Sequence, residues 1–544
     1  MELDLLLVHA DDHEPVLRGG LPGASAPAQA DSDEDAEAQS FWDEGADPND
    51  LAAQRWGVIA PQGPEGDRLL ALVRPLIELR QSQQGDPVRV HRVPAQMSAD
   101  EALRWKKREF DAGADLGIEV PRYQLILGDL DQVSLELQQI QASDGYVGRL
   151  GFTREDDYAA YVDKVLRHEL RVGAAGPPDA LFYTVHDGTA ATAAGHRVLV
   201  DPGLELVRAR HAAGKYPARE IVEFGDRLTP SPDELLRRVA GEQPGVLFSV
   251  SHGEGAPRGG WPSYEQQRRR QGAMSFGRAG QLTGDDLQGR PFLPGGVWFM
   301  LACYGAGTPN TSAYRHWLAQ LAASGQFRGR PEAVLAGLPG PQDRPFIAAV
   351  PQAVLANPAG PLAFMSHVDL AWTYGFQELD AGPVGRPARY MAITRSLLRR
   401  DRVGVAMREL LRFANLANLE LTTLHDQAAR SPETTPDPVR MGHLWMLRED
   451  LGAYVLLGDP AVRISGGGEA PRLALPLEVR TATAPTPVLP VAAPSSALEA
   501  AVVEVLLADL TIQAAADRVG VPRAELERLA AEYRRVGRAA LAGK

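Results

Sequence analysis

Short unbroken apolar runs alternate along this chain with stretches whose apolar residues recur at helical spacing. Leu3 to Val8, Trp56 to Ala60, Val88 to Val93, Tyr123 to Gly128, Asp179 to Val185, Gly245 to Ser251, Gly296 to Ala302 and Pro361 to Val368 are too short for ordinary helices. Runs of this kind without alternation suit strands buried on both faces, as in a parallel sheet covered by helices. The intervening stretches carry helix signals. Asp67 to Leu79 reads as a helix that Pro75 bends. Ser98 and Glu101 make a capping box for a helix through Phe110. Thr153 and Asp156 cap the next, whose Tyr158, Tyr161, Val162, Val165 and Leu166 form one apolar stripe. Ser231-Pro232-Asp233-Glu234 opens a helix that closes at Gly241 and feeds the Gly245 run. Ser312 to Ala323, Val403 to Leu416 and Leu444 to Gly452 complete the helices expected of the main body.

This alternation predicts an α/β fold with a mostly parallel sheet flanked by helices, built from two successive α/β units. At 544 residues the chain has room for two or three domains. Residues 1–150 read as an N-terminal α/β subdomain interrupted by an acidic insertion at about 11–50, whose composition suggests disorder. Residues 151–465 read as the second and larger α/β domain. Residues 466–496 are rich in proline, glycine, alanine and threonine and read as a linker. Residues 497–544 predict a small helical tail whose Gly520-Val521-Pro522 turn resembles a helix-turn-helix. Charges in the tail nearly balance, which favours protein docking over DNA contact.

Composition narrows the function classes. A formal charge of −14 makes nonspecific nucleic-acid binding unexpected. The start, Met1-Glu2-Leu3-Asp4, is acidic rather than basic, and no apolar run approaches the roughly 18 residues of a spanning helix. Neither a signal peptide nor a membrane span is expected. A single cysteine, Cys303, precludes an internal disulfide and fits a reducing cytoplasm. No zinc-type cluster of cysteines and histidines is present, and no metal or organic cofactor is implied.

The chemistry collects where two of the apolar runs end. One delivers Ser251-His252-Gly253-Glu254-Gly255, the other Ala302-Cys303-Tyr304-Gly305. In doubly wound sheets chemistry gathers beyond the carboxyl ends of the strands. A thiol with an ordinary pKa near 8.5 is mostly protonated at neutral pH, so an imidazole is needed to activate it and later to protonate a leaving amine. Glycines beside both residues permit tight turns and leave backbone N–H groups for a developing oxyanion.

These residues resemble a known family. The 51 positions from His252 to Cys303 and the Ala302-Cys303-Tyr304-Gly305 setting are similar to caspase-like cysteine peptidases. Leu301 stands where a true caspase has glutamine. The closer resemblance is to the CHAT and gingipain-like branches, through Ser251-His252-Gly253-Glu254, a hairpin with Leu282-Thr283-Gly284-Asp285-Asp286-Leu287, Leu301-Ala302-Cys303, and Leu457-Gly458-Asp459-Pro460-Ala461. The Val147-Gly148-Arg149-Leu150 segment and the helix after it are similar to the subdomain junction of gingipain-like peptidases.

The resemblance implies a caspase-like fold and a cysteine endopeptidase acting on protein substrates. Cys303 would be the nucleophile, His252 the base and then the acid, and the N–H groups of Gly253 and Cys303 the oxyanion hole. Glu254 is a candidate to orient His252. Asp187, in the His186-Asp187-Gly188 turn, and Asp369 are candidates to select arginine or lysine before the cut bond by charge-assisted hydrogen bonds. CHAT-type relatives often act as regulated effectors in bacterial defence, and a docking tail suits such control. Two other functions fit the sequence: a catalytically silent scaffold working through its C-terminal helices, and a DNA-binding regulator using them. Arg268-Arg269-Arg270, in the excursion between His252 and Cys303, reads as a solvated charge run or a moving lid.

Overall fold

The computed structural model describes residues 2–3, 21–22, 46–112, 120–170, 176–257, 260–325, 331–340, 343–378, 384–430 and 437–464. The chain divides into residues 1–479 and residues 480–544. The expected linker and helical tail lie outside the described residues, as do most of the acidic insertion and of the Leu3 to Val8 run. At that end Glu2–Leu3 pairs antiparallel with Leu21–Pro22.

Seven of the eight apolar runs become strands of one central sheet of ten, joined by β4, β6 and β10, which the sequence reading did not pick out: β1 (Trp56–Pro61), β2 (Arg89–Val93), β3 (Tyr123–Leu127), β4 (Tyr146–Leu150), β5 (Asp179–Thr184), β6 (Ile221–Phe224), β7 (Gly245–Val250), β8 (Val297–Leu301), β9 (Ala363–His367) and β10 (Tyr454–Leu457). Their order is β2-β1-β3-β4-β10-β9-β8-β7-β5-β6. The sheet is mostly parallel and flanked by helices. Its one antiparallel seam is β9 against β10, so the β1–β4 half runs opposite to the half that carries β7 and β8. The central strands are buried along their whole length, as their unalternating sequences require.

β10 is the last of the described strands in sequence yet stands in the middle of the sheet, and the residues after it are firmly anchored. Gly458 turns at φ 115°, and Asp459 behind it is fully buried. Its carboxylate accepts from Arg80 Nε at 2.8 Å, Trp56 Nε1 at 2.9 Å and Ala461 N at 3.0 Å. Arg80, itself fully buried, also pairs with Glu169 at 2.9 Å. The Leu457 to Ala461 motif is thus a structural bolt between the two halves.

Several helices differ from expectation. The Asp67 to Leu79 helix is two, Gly63–Leu72 and Arg74–Gln84, broken at Val73 with Pro75 in the first turn of the second. Ser98 and Glu101 cap Ala99–Trp105 as expected. Thr153 and Asp156 do not cap Glu155–Glu169: its N-cap is Arg154, and Thr153 instead donates Oγ1 to Gln352 at 3.0 Å. Helix Ala388–Leu398 was not foreseen, because its residues are buried nearly all round and show no one-sided stripe. Val403–Arg430 runs nearly four turns beyond Leu416 and packs against Pro438–Gly452.

Candidate functional site

β7 and β8 are parallel neighbours with Val250 opposite Leu301. Ser251 N donates to Leu301 O at 3.1 Å, extending the pairing past the strand ends. Two residues on from the paired positions, His252 and Cys303 therefore follow the same ends of two adjacent strands. Gly253 lies so close that a Cβ there would sit 1.8 Å from the Cys303 carbonyl oxygen, which only glycine permits.

After Cys303 the chain turns sharply. Tyr304 is held left-handed at φ 56°, which costs a non-glycine residue about 1–2 kcal/mol. Tyr304 N donates to Asp369 O at 2.9 Å and Ala306 N to His367 O at 2.9 Å, so the loop after β9 fixes the turn. The Cys303 Sγ accepts from Ala371 N at 3.3 Å and faces Ala371 O at 3.7 Å. Burial pushes the thiol up to about 11, with Asp369 and Asp450 adding to the rise and the Ala371 N–H opposing it. At neutral pH the sulfur is an uncharged thiol.

The imidazole has a different partner. His252 Nε2 lies 2.8 Å from Thr189 Oγ1, which donates to Asp187 Oδ1 at 2.8 Å. Asp187 Oδ1 also accepts from Thr192 Oγ1 at 2.7 Å and Thr189 N at 3.0 Å, and its Oδ2 is 3.9 Å from Nε2. Burial raises the Asp187 carboxyl, but the Thr192 and Thr189 hydrogen bonds outweigh it and hold the group below the ordinary carboxylate range. Among the described residues no hydrogen bond joins His252 to Cys303; each is held by its own support.

Three candidates take different places from those the sequence suggested. Glu254 does not touch His252; it pairs with Arg270, and its backbone bonds to Ala273 and Gly272. Asp187, with a side chain only 2% exposed, faces the imidazole rather than open solvent where a substrate guanidinium would arrive. Asp369 is buried in the loop that holds Cys303, accepting from Ala313 N at 2.9 Å and Leu370 N at 2.8 Å. Both candidate selector carboxylates are committed to internal hydrogen bonds.

The three arginines are each ion-paired, though Arg269 stays 71% exposed. They end helix Tyr264–Arg270, where Arg268 pairs with Asp129 at 2.6 Å, Arg269 with Asp285 at 2.5 Å, and Arg270 with Glu254. Among the described residues no group of three or more His, Cys, Asp or Glu side chains is arranged to hold a metal ion. No described helix is long and apolar enough to cross a membrane.

Sequence reasoning missed Thr189, Ala371 and Asp450. Asp450, fully buried in Pro438–Gly452, accepts from Trp372 N and Gly375 N, each at 2.7 Å, and so shapes the loop whose Ala371 holds the sulfur. Thr189 carried a faint signal, directly after an Asp-Gly turn at a strand end; Ala371 acts through its backbone and carried none.

No family model matches the chain, and no curated protein matches it. Among solved structures it is similar to the Arg-specific cysteine proteinase gingipain R (RgpB), at a TM-score of 0.43 and 13% identity over 76% of this chain and 78% of that one. A complex of Porphyromonas gingivalis RgpB pro- and mature domains gives 0.42 and 14% over 75% and 79%. A structure described only as a protease gives 0.42 and 11% over 75% and 78%.

Proposed function

We propose that this chain is a cysteine endopeptidase of the caspase-like kind, with Cys303 as nucleophile and His252 as general base and acid. The observation that carries the reading is the level ending of two adjacent parallel strands in these side chains. With Nε2 engaged by Thr189, Nδ1 is the nitrogen left to take the thiol proton. The thiolate then attacks the substrate carbonyl, and the oxyanion accepts from the N–H groups of Gly253 and Cys303. The imidazolium returns its proton to the leaving amine as the C–N bond breaks. Water, deprotonated by the same imidazole, hydrolyses the thioester and regenerates the thiol.

Asp187 acts through Thr189 as the positioning group. When the ring is protonated, Nε2–H donates to Thr189 Oγ1, whose own hydrogen points to Asp187, so the buried negative charge stabilises the imidazolium. This assigns Asp187 the orienting role that the sequence gave to Glu254. A thiol bound to Ala371 and raised to about 11 describes a resting enzyme. Regulated activation fits that state. The CHAT assignment and a defence role rest on the sequence motifs alone.

The test is cleavage of fluorogenic peptides by wild type and Cys303→Ala, with the residue before the cut varied among Arg, Lys, Asp, Leu and Ala. Activity confined to the wild type supports the dyad; equal activity in Cys303→Ala refutes it.

A further inference from the structure

A groove of about 610 Å³ opens between the end of helix Val403–Arg430 and the start of Pro438–Gly452. Trp317, Tyr374, Leu421, Met441, His443 and Trp445 are among its walls. It is distinct from the His252 and Cys303 side chains but joined to them through one short segment. Ala371 N holds Sγ at 3.3 Å, the Trp372 ring packs edge-on against Trp317 at 5.5 Å, and Tyr374 lines the groove. Three Cα steps of 3.8 Å separate Ala371 from Tyr374, so the groove begins no more than about 16 Å from the thiol. An extended peptide spans that distance in about five residues.

The chemistry of the walls is aromatic and apolar, with no carboxylate among the described residues that line the groove. Its charged and titratable members are Arg448, His425 and His443. The Nδ1 of His443 is buried without a hydrogen-bond partner among the described residues, and the ring packs against Tyr374 at 5.6 Å. A buried polar atom of this kind is ordinarily satisfied. Val439, on the rim, is 61% exposed.

We infer that this groove is a distal substrate subsite that seats a bulky apolar or aromatic side chain within about five residues of the cut bond. The inference rests on the peptidase reading. The occupant is a peptide whose backbone or flanking polar group meets His443 and whose anchor is apolar: Arg448 is already paired with Glu449 at 2.6 Å, and a lysine ammonium would meet aromatic and apolar walls with no lining carboxylate to receive it. Selection by an aromatic anchor takes the place of the basic selection that Asp187 and Asp369 are too committed to provide.

The test separates binding from cleavage. Fluorescence anisotropy with full-length Cys303→Ala and labelled peptides, identical except for Trp, Leu, Ala or Lys at one position, reads the groove without turnover. Trp and Leu peptides are expected to bind about tenfold more tightly than Ala, and Lys no better than Ala. Val439→Asp, on the exposed rim, and Trp445→Ala should each remove that preference; the first leaves the core untouched, so loss of folding cannot imitate the result. Equal binding of Trp and Ala peptides, or a preference intact in both variants, overturns the subsite. If the preference is present but wild type cuts none of these peptides, the groove stands and the peptidase reading fails. Cleavage without any such preference does the reverse.

Discussion

The chain's single cysteine makes one prediction unusually clean, the titration of Cys303. Burial carries the Cys303 thiol up to about 11, at least two pH units above an ordinary exposed thiol. Two pH units correspond to about a hundredfold less thiolate at any neutral pH than an exposed thiol would show. Alkylation by iodoacetamide follows the thiolate, so its rate should climb about tenfold per pH unit from 7 and reach half its maximum near 11. The midpoint is independent of access, which scales every rate equally. Only one thiol reacts, and mass spectrometry after timed quenching reads it directly. His252→Ala tests where the activating base lies: with the imidazole held by Thr189 rather than by sulfur, the midpoint of the resting protein should move little. The same shift has a stability consequence. A thiol with its folded-state pKa raised contributes stability below pH 9 that is lost as pH climbs through about 11. An alkylation midpoint at or below 8 in the wild type would refute the picture, because the sulfur would then already be charged by a partner that the geometry does not show.

Other consequences follow from the supports of the site and the fold. Asp187→Asn and Thr189→Val should each lower kcat on the order of tenfold to hundredfold with KM little changed, and shift the acid limb of the pH profile; an unmoved profile argues for a merely structural role. Gly253→Ala should abolish cleavage, since the added carbon would sit 1.8 Å from the Cys303 carbonyl oxygen, and circular dichroism will show whether the fold survives. Arg80→Ala strands the buried Asp459 carboxylate and should cost about 3–5 kcal/mol in chemical denaturation. Glu254→Gln frees Arg270 but not His252, so peptide cleavage should fall by less than Asp187→Asn causes.

Most of the central strands, and the placing of His252 and Cys303 just past the ends of two of them, were legible because their signals are local. An unbroken apolar run of strand length has few alternatives, and a reactive residue at its end announces itself. What connects such residues is not local. His252 and Glu254 are two apart in sequence, yet the pleat and the Arg270 ion pair turn Glu254 away, while Asp187, 65 positions upstream, arrives through the neighbouring strand β5. Asp369 looked available because a carboxylate after a strand is often exposed; here the backbone amides of Leu370 and Ala313 claim it. The missed helix Ala388–Leu398 shows the converse, since full burial erases the amphipathic stripe by which helices are found.

The placement of the acids bears on what kind of peptidase this can be. Asp187 is spent on His252, Asp369 on the turn behind Cys303, Asp450 on the loop that holds Sγ, and Glu254 on Arg270. Each stabilises the frame by accepting hydrogen bonds, and each would lose that role if a substrate guanidinium drew it away. Removing a hydrogen-bond partner from a buried group costs about 1–3 kcal/mol, a cost that an incoming cation would have to overcome at every binding event. The aromatic walls around Trp317 and Trp445 carry no such prior commitment, and seating an apolar side chain there removes surface from water without breaking any bond of the frame. On the proposed peptidase reading, this balance gives substrate choice to the groove and leaves Asp187 to support His252.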